Sequence, residues 1–143
     1  MSVSVRVCPW QKNNSCVTPM TKTLQLEELT YKINGAIYEV NRELGSGFLE
    51  KVYENALFLE LNNRGLNAAC QVPINVEYKN VNVGEYIADM VVENSVIIEI
   101  KAIEALQKVH EAQILNYLKA TGYKVGLLVN FTHPKAVIKR FIL

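Results

Sequence analysis

The 143-residue chain reads as an α/β fold of mixed α+β type, with helices packed against an antiparallel meander of strands. Three observations predict it. Apolar residues recur at three- and four-residue spacings from Leu24 to about residue 64, the period of helices. Strand-like runs broken by turn signals follow over 69–103. A third helical stretch, 107–121, then precedes two last strands, giving the order α-α-β-β-β-α-β-β.

Each element has its own signature. Residues 1–22 hold Pro9, Pro19, Asn13, Asn14 and Ser15 without a sustained period, and read as a flexible, dispensable tail before a single domain over 23–143. Met20 would serve equally well as a start residue. In the first helix Leu29, Ile33, Ala36, Ile37 and Val40 form the apolar stripe, and Gly45-Ser46-Gly47 ends it. The second places Leu49, Val52, Ala56, Leu57 and Leu61 on one stripe and stops near Arg64-Gly65. Strands are expected at 69–78, 81–92 and 95–103, joined by hairpin turns at Lys79-Asn80 and Glu93-Asn94-Ser95. The third helix carries Ile114, Leu115 and Leu118 inward and ends before Gly122. Strands at 124–131 and 136–142, parted by Thr132-His133-Pro134, close the chain. There is no internal repeat and no low-complexity segment.

Composition sets outer limits. Half of the residues are apolar, which excludes a wholly disordered chain. No apolar run approaches the ~18–20 residues of a membrane span. The opening MSVSVRVCPWQKNN has no continuous apolar stretch of signal-peptide type. Three cysteines, Cys8, Cys16 and Cys70, are an odd number without metal spacing, which points to inert free thiols and a cytoplasmic setting. A net charge of +1 means that any contact with nucleic acid must be local.

The richest segment is Asp89-Met-Val-Val-Glu-Asn-Ser-Val-Ile-Ile-Glu99-Ile100-Lys101. Its two apolar runs and polar break form a hairpin that brings Asp89 opposite Glu99. Strand alternation points Glu99 and Lys101 one way and Ile98 and Ile100 the other. Two carboxylates held this close repel unless a proton or cation lies between them. A hard divalent cation suits their oxygens. The neighbouring lysine can orient or polarise a water. Asp, Glu-x-Lys on adjacent strands is therefore the chemistry of a metal-dependent phosphodiesterase.

Two helices add to this. Gln113 and Tyr117 share a helix face, with His110 on nearly the same stripe. An amide and a phenol there can bind phosphate, hold the lysine or stack on a base. In Gly47-Phe-Leu-Glu50-Lys-Val-Tyr53, Glu50 and Tyr53 lie one turn apart after a glycine-rich turn. Glu50 becomes a further carboxylate at the metal if this helix crosses the strand ends.

Gly47-x-x-Glu50-x-x-Tyr53 resembles the signature of the GxxExxY protein family. Asp89, Glu99-x-Lys101 and Gln113-x-x-x-Tyr117 resemble the motifs of the PD-(D/E)XK nuclease superfamily, in its exonuclease-like branch. The likeness spans about residues 25–143. It implies a restriction-endonuclease-like core, a mixed β-sheet flanked by helices, and Mg²⁺- or Mn²⁺-dependent cleavage of nucleic acid, DNA rather than RNA. It further implies Glu50, Asp89, Glu99 and the Ile100 carbonyl as metal ligands, and Asp89, Glu99 and Lys101 as the catalytic set. Gln113 and Tyr117 would form the substrate-side helix pair, with Tyr53 and His110 as accessories. Two positions depart from the pattern. Ala88 stands where the superfamily name has proline, and Asn41 stands where many family members carry a first-helix histidine.

Plainer readings stand beside these. Glu50 could be an ordinary carboxylate near a helix N-terminus. Tyr53 could be a packing residue and His110 a partly exposed one. Glu99 and Lys101 could form a buried salt bridge. At the level of function, the alternatives are a nucleic-acid-binding module that keeps the nuclease fold without catalysis, and a protein-interaction domain with a structural metal.

Overall fold

A computed structural model describes residues 19–132 and 134–143. The elements follow the expected order: α1 (Pro19–Leu44), α2 (Glu50–Asn63), β1 (Ala68–Tyr78), β2 (Val81–Val92), β3 (Val96–Lys101), α3 (Lys108–Thr121), β4 (Val125–Asn130) and β5 (Val137–Ile142). The tail expected over 1–22 lies outside the described residues up to residue 18. Its last four residues belong to α1, which begins at Pro19 rather than at Leu24. Proline suits a first helical position because its missing N–H would have no intrahelical partner there.

The five strands lie in the order β1-β2-β3-β4-β5. Neighbours are antiparallel except β3 and β4, which run parallel with α3 as their crossover. The meander is therefore limited to β1–β3, and the sheet as a whole is mixed. Both hairpin turns fall where expected. Lys79 and Asn80 have φ of 49° and 64°, the paired left-handed values of a two-residue hairpin turn matched to sheet twist. Glu93 and Asn94, at 52° and 49°, begin the three-residue turn into β3.

The centre of the sheet is buried on both faces. On one, Met90, Val92, Ile98, Ile100, Leu127 and Val129 pack against Ile33, Ala36, Ile37 and Val40 of α1 and Leu57 and Leu61 of α2. On the other, Ile74, Val91 and Ile97 meet Tyr117 and Leu118 of α3. Gly126 sets how closely α3 approaches, since a Cβ there would fall 2.9 Å from Ile114.

The stripe expected on α2 needs correction. Leu49 is 80% exposed and Val52 38%, whereas Tyr53, Glu54, Leu57 and Leu61 are buried. Leu49 precedes the first helical residue, so it does not share the helix face. Tyr53 sets the rotation: its ring stacks on Phe131 at 4.3 Å between centroids. Among the described residues no helix is long and apolar enough to cross a membrane.

Candidate active site

The β2–β3 ladder pairs Val92 with Val96, Val91 with Ile97 and Met90 with Ile98, then stops. The next step in register would set Asp89 against Glu99. There the side chains take over from the backbone. The Asp89 N–H donates to Glu99 Oε1 at 3.0 Å, and the Ile100 N–H donates to Asp89 Oδ2 at 2.8 Å. Each carboxylate is thus anchored on the other strand's main chain. Past this point β2 pairs with β1 alone, so the two continue as a ribbon and the sheet opens into a notch.

Burial dominates the electrostatics of the notch. Glu99 is almost wholly buried, and its carboxyl is pushed up to about 8, first by burial and then by the charge of Asp89. Asp89 is raised too, again chiefly by burial, while the N–H of Ile100 pulls it back. Of the two carboxyls, Glu99 is the more strongly raised. The charge of Lys101 opposes both rises. Lys101 is half-buried and makes no ion pair within 4.0 Å among the described residues, so the expected alternative of a Glu99–Lys101 salt bridge is not formed.

A cavity of about 500 Å³ opens from the notch toward the start of α2. Asp89 and Ile100 line one side, and Glu50, Lys51 and Glu54 the other. Glu50 faces this space from an exposed position. Glu54, absent from the sequence-derived set, is buried there. Its carboxylate accepts from Lys51 Nζ at 3.0 Å and from Gln71 Nε2 at 2.8 Å. Its charge raises Asp89. The signal that could have found it is its spacing: it stands four residues after Glu50, hence on the same helix face.

Gln71 is unusual in its own right. It falls in register opposite Asp89, between the pairs Cys70–Met90 and Val72–Ala88, yet its φ is 54°. A non-glycine residue held left-handed within a strand is strained, and such strain gathers at functional sites. Beside it, the Cys70 thiol is pushed up to about 11 by burial and by Glu54, which keeps it protonated and unreactive.

The other expected residues divide. Gln113 Nε2 donates to the Tyr117 hydroxyl at 2.8 Å, so the helix pair exists. The Tyr117 phenol is raised by burial, opposed by Gln113, and raised further by the charges of Glu99 and Asp89. Tyr53 serves the fold. Its hydroxyl donates to the Gly45 carbonyl at 2.7 Å and accepts from the Phe48 N–H at 3.3 Å, clamping the turn before α2. His110 Nδ1 accepts the Gln107 N–H at 3.0 Å and caps the start of α3. The Asn41 side chain accepts the Ala136 N–H at 3.0 Å, tying α1 to the approach to β5.

Among the described residues, no group of three or more His, Cys, Asp or Glu side chains is gathered closely enough to hold a metal ion. The donor set is thus a carboxylate pair. That pair does fit a cation: both groups are desolvated, and the charge of Asp89 raises Glu99, so a cation beside them would relieve both costs. Mg²⁺ commonly binds through one or two carboxylates and retains waters for the rest.

A mixed sheet with a carboxylate pair where two strands part, and a lysine two residues on, defines a restriction-endonuclease-like nuclease fold. The family model of the PD-(D/E)XK nuclease superfamily matches residues 27–141, and the chain belongs to that superfamily. Its nucleases generally depend on a divalent metal, and relatives with the fold act on nucleic acid. No curated protein matches. Among solved structures, the chain is similar to the crystal structure of SSO0001, with 24% identity and a TM-score of 0.52 over 64% of this chain and 48% of that one. The chain therefore spans about half the length of that protein. An alkaline exonuclease, LHK-Exo from Laribacter hongkongensis, aligns with 12% identity and a TM-score of 0.43 over 90% of this chain and 72% of that one.

Proposed function

We propose that this protein is a nuclease of the GxxExxY group that hydrolyses phosphodiester bonds with Mg²⁺ or Mn²⁺, on DNA in preference to RNA. The observation that carries the reading is the pair Asp89 and Glu99, buried together and anchored on each other's strands, with Lys101 two residues on and in no ion pair among the described residues. Asp89, Glu99 and the Ile100 carbonyl would hold the cation, with Glu50 at the mouth of the same cavity. Such a cation lowers the pKa of water and offsets charge on phosphate.

The remaining roles belong to the chain itself. Lys101 orients the attacking water and meets a phosphate oxygen. Gln113 and Tyr117 offer an amide and a phenol to the substrate on the α3 side. Glu54, fixed by Lys51 and Gln71, holds the start of α2 at the cavity wall. The proposed setting is the cytoplasm.

A second reading, a binding module without catalysis, draws support from Asn41, whose side chain is committed to the backbone of Ala136. A panel of single- and double-stranded DNA and RNA, linear and circular, with Mg²⁺ and with Mn²⁺, tests the choice. Cleavage that disappears in Lys101→Ala upholds the nuclease. Binding with a negative salt slope and no cleavage upholds the module.

A further inference from the structure

Beyond the notch, a second and larger cleft of about 1180 Å³ runs between the β1–β2 ribbon and α3. It exceeds the roughly 300–1,000 Å³ of ordinary small-molecule sites, so its size suits a segment of polymer. Tyr117 lines it and packs in one cluster with Ile97, two residues before Glu99 and on the same face of β3, so the cleft lies on the sheet face to which Glu99 belongs. On the ribbon side stands Tyr86, 53% exposed for so large a ring and 5.8 Å from the Tyr117 centroid at a 49° tilt. Asn75, Gln113 and Asn116 add amides to the walls. Formal charge is sparse: Lys119 is balanced by Glu77.

This composition distinguishes among nucleic acids. A duplex hides its base faces and is gripped mainly through phosphates, by arrays of Lys and Arg that the cleft lacks. An unpaired strand exposes base faces, which stack on aromatic rings whatever their sequence, and base edges, which amides can bind. We propose that the cleft is the track for one unpaired nucleic-acid strand, with Tyr86 as the platform on which a base stacks and Lys119 as its phosphate contact. The proposal rests on the nuclease reading and adds the substrate class: single strands, or the unpaired ends of duplexes.

Fluorescence anisotropy with labelled oligodeoxythymidine, in Ca²⁺ to limit turnover, tests it on the full chain. Wild type should bind this strand at least about tenfold more tightly than a blunt duplex of equal length. Tyr86→Ala should weaken strand binding by about ten- to a hundredfold, the scale of one lost stack. Tyr86→Phe should restore it, because the ring face and not the hydroxyl makes the contact. Tyr78→Ala, which alters an exposed tyrosine outside the cleft, should bind as wild type does. Tighter duplex binding, strand binding unchanged in Tyr86→Ala, or equal loss in Tyr78→Ala would overturn the proposal. None of these three results touches the nuclease reading, which fails separately if neither Mg²⁺ nor Mn²⁺ supports cleavage of any substrate.

Discussion

The buried carboxyl of Glu99 makes the stability of the metal-free protein depend on pH in a specific way. An unfolded glutamate titrates near 4.5, whereas in the fold Glu99 holds its proton to about 8. Its folded value is raised, so its contribution is fully present below about pH 4.5 and is lost as pH climbs to about 8. At 1.36 kcal/mol per pH unit, that gap corresponds to roughly 5 kcal/mol. This is a large share of the 5–15 kcal/mol that holds a typical domain together. Asp89 is raised as well, so it pulls in the same direction. Glu99→Gln removes the ionisation while leaving an oxygen to accept the Asp89 N–H. The variant should therefore lose most of the pH slope and be more stable than wild type by several kcal/mol at pH 8 without metal. Urea denaturation in EDTA, from pH 4.5 to 9, measures both curves. Mn²⁺ should restore the wild type at pH 8 and do much less for the variant. Parallel curves for the two proteins across this range would refute the raised carboxyl of Glu99.

Three further outcomes are expected. Lys101→Ala should abolish cleavage with little change in melting temperature or in Mn²⁺ affinity by calorimetry, because Lys101 holds no carboxylate in the fold; a loss of about 3–5 kcal/mol would instead mark a structural ion pair. Asp89→Asn should weaken Mn²⁺ binding and cleavage together. Gly126→Ala should cost about 1–3 kcal/mol in urea unfolding, because its methyl group would press on Ile114 of α3.

Much of this architecture is legible in the sequence because it is local. The register that sets Asp89 against Glu99 follows from a three-residue turn between two apolar runs, and a turn of that length leaves little freedom. Gln113 and Tyr117 meet because four residues make one helical turn. The failures are tertiary. Leu49 and Val52 look like core residues, but the stacking of Tyr53 on Phe131, far along the chain, turns α2 so that they face outward. The burial of Glu54 is made tolerable by Lys51 and by the amide of Gln71, and the latter reaches across from β1, which helical spacing does not reveal. The left-handed backbone of Gln71 has no local marker, since glutamine does not favour that conformation.

The carboxylates of Asp89 and Glu99 are held by backbone N–H groups rather than by other side chains. Every residue except proline carries such a donor. The geometry of the pair is therefore insulated from drift in the side chains around it: Met90, Ile98 or Ile100 can change identity, within what packing allows, without releasing either carboxylate. Proline at position 89 is barred by the chemistry of the site itself. The exception that matters is proline at position 100, which would free Asp89 while leaving every acidic residue in place. In a distant relative, an intact Asp and Glu-x-Lys with proline between the last two would mark a centre that has kept its letters and lost its anchor.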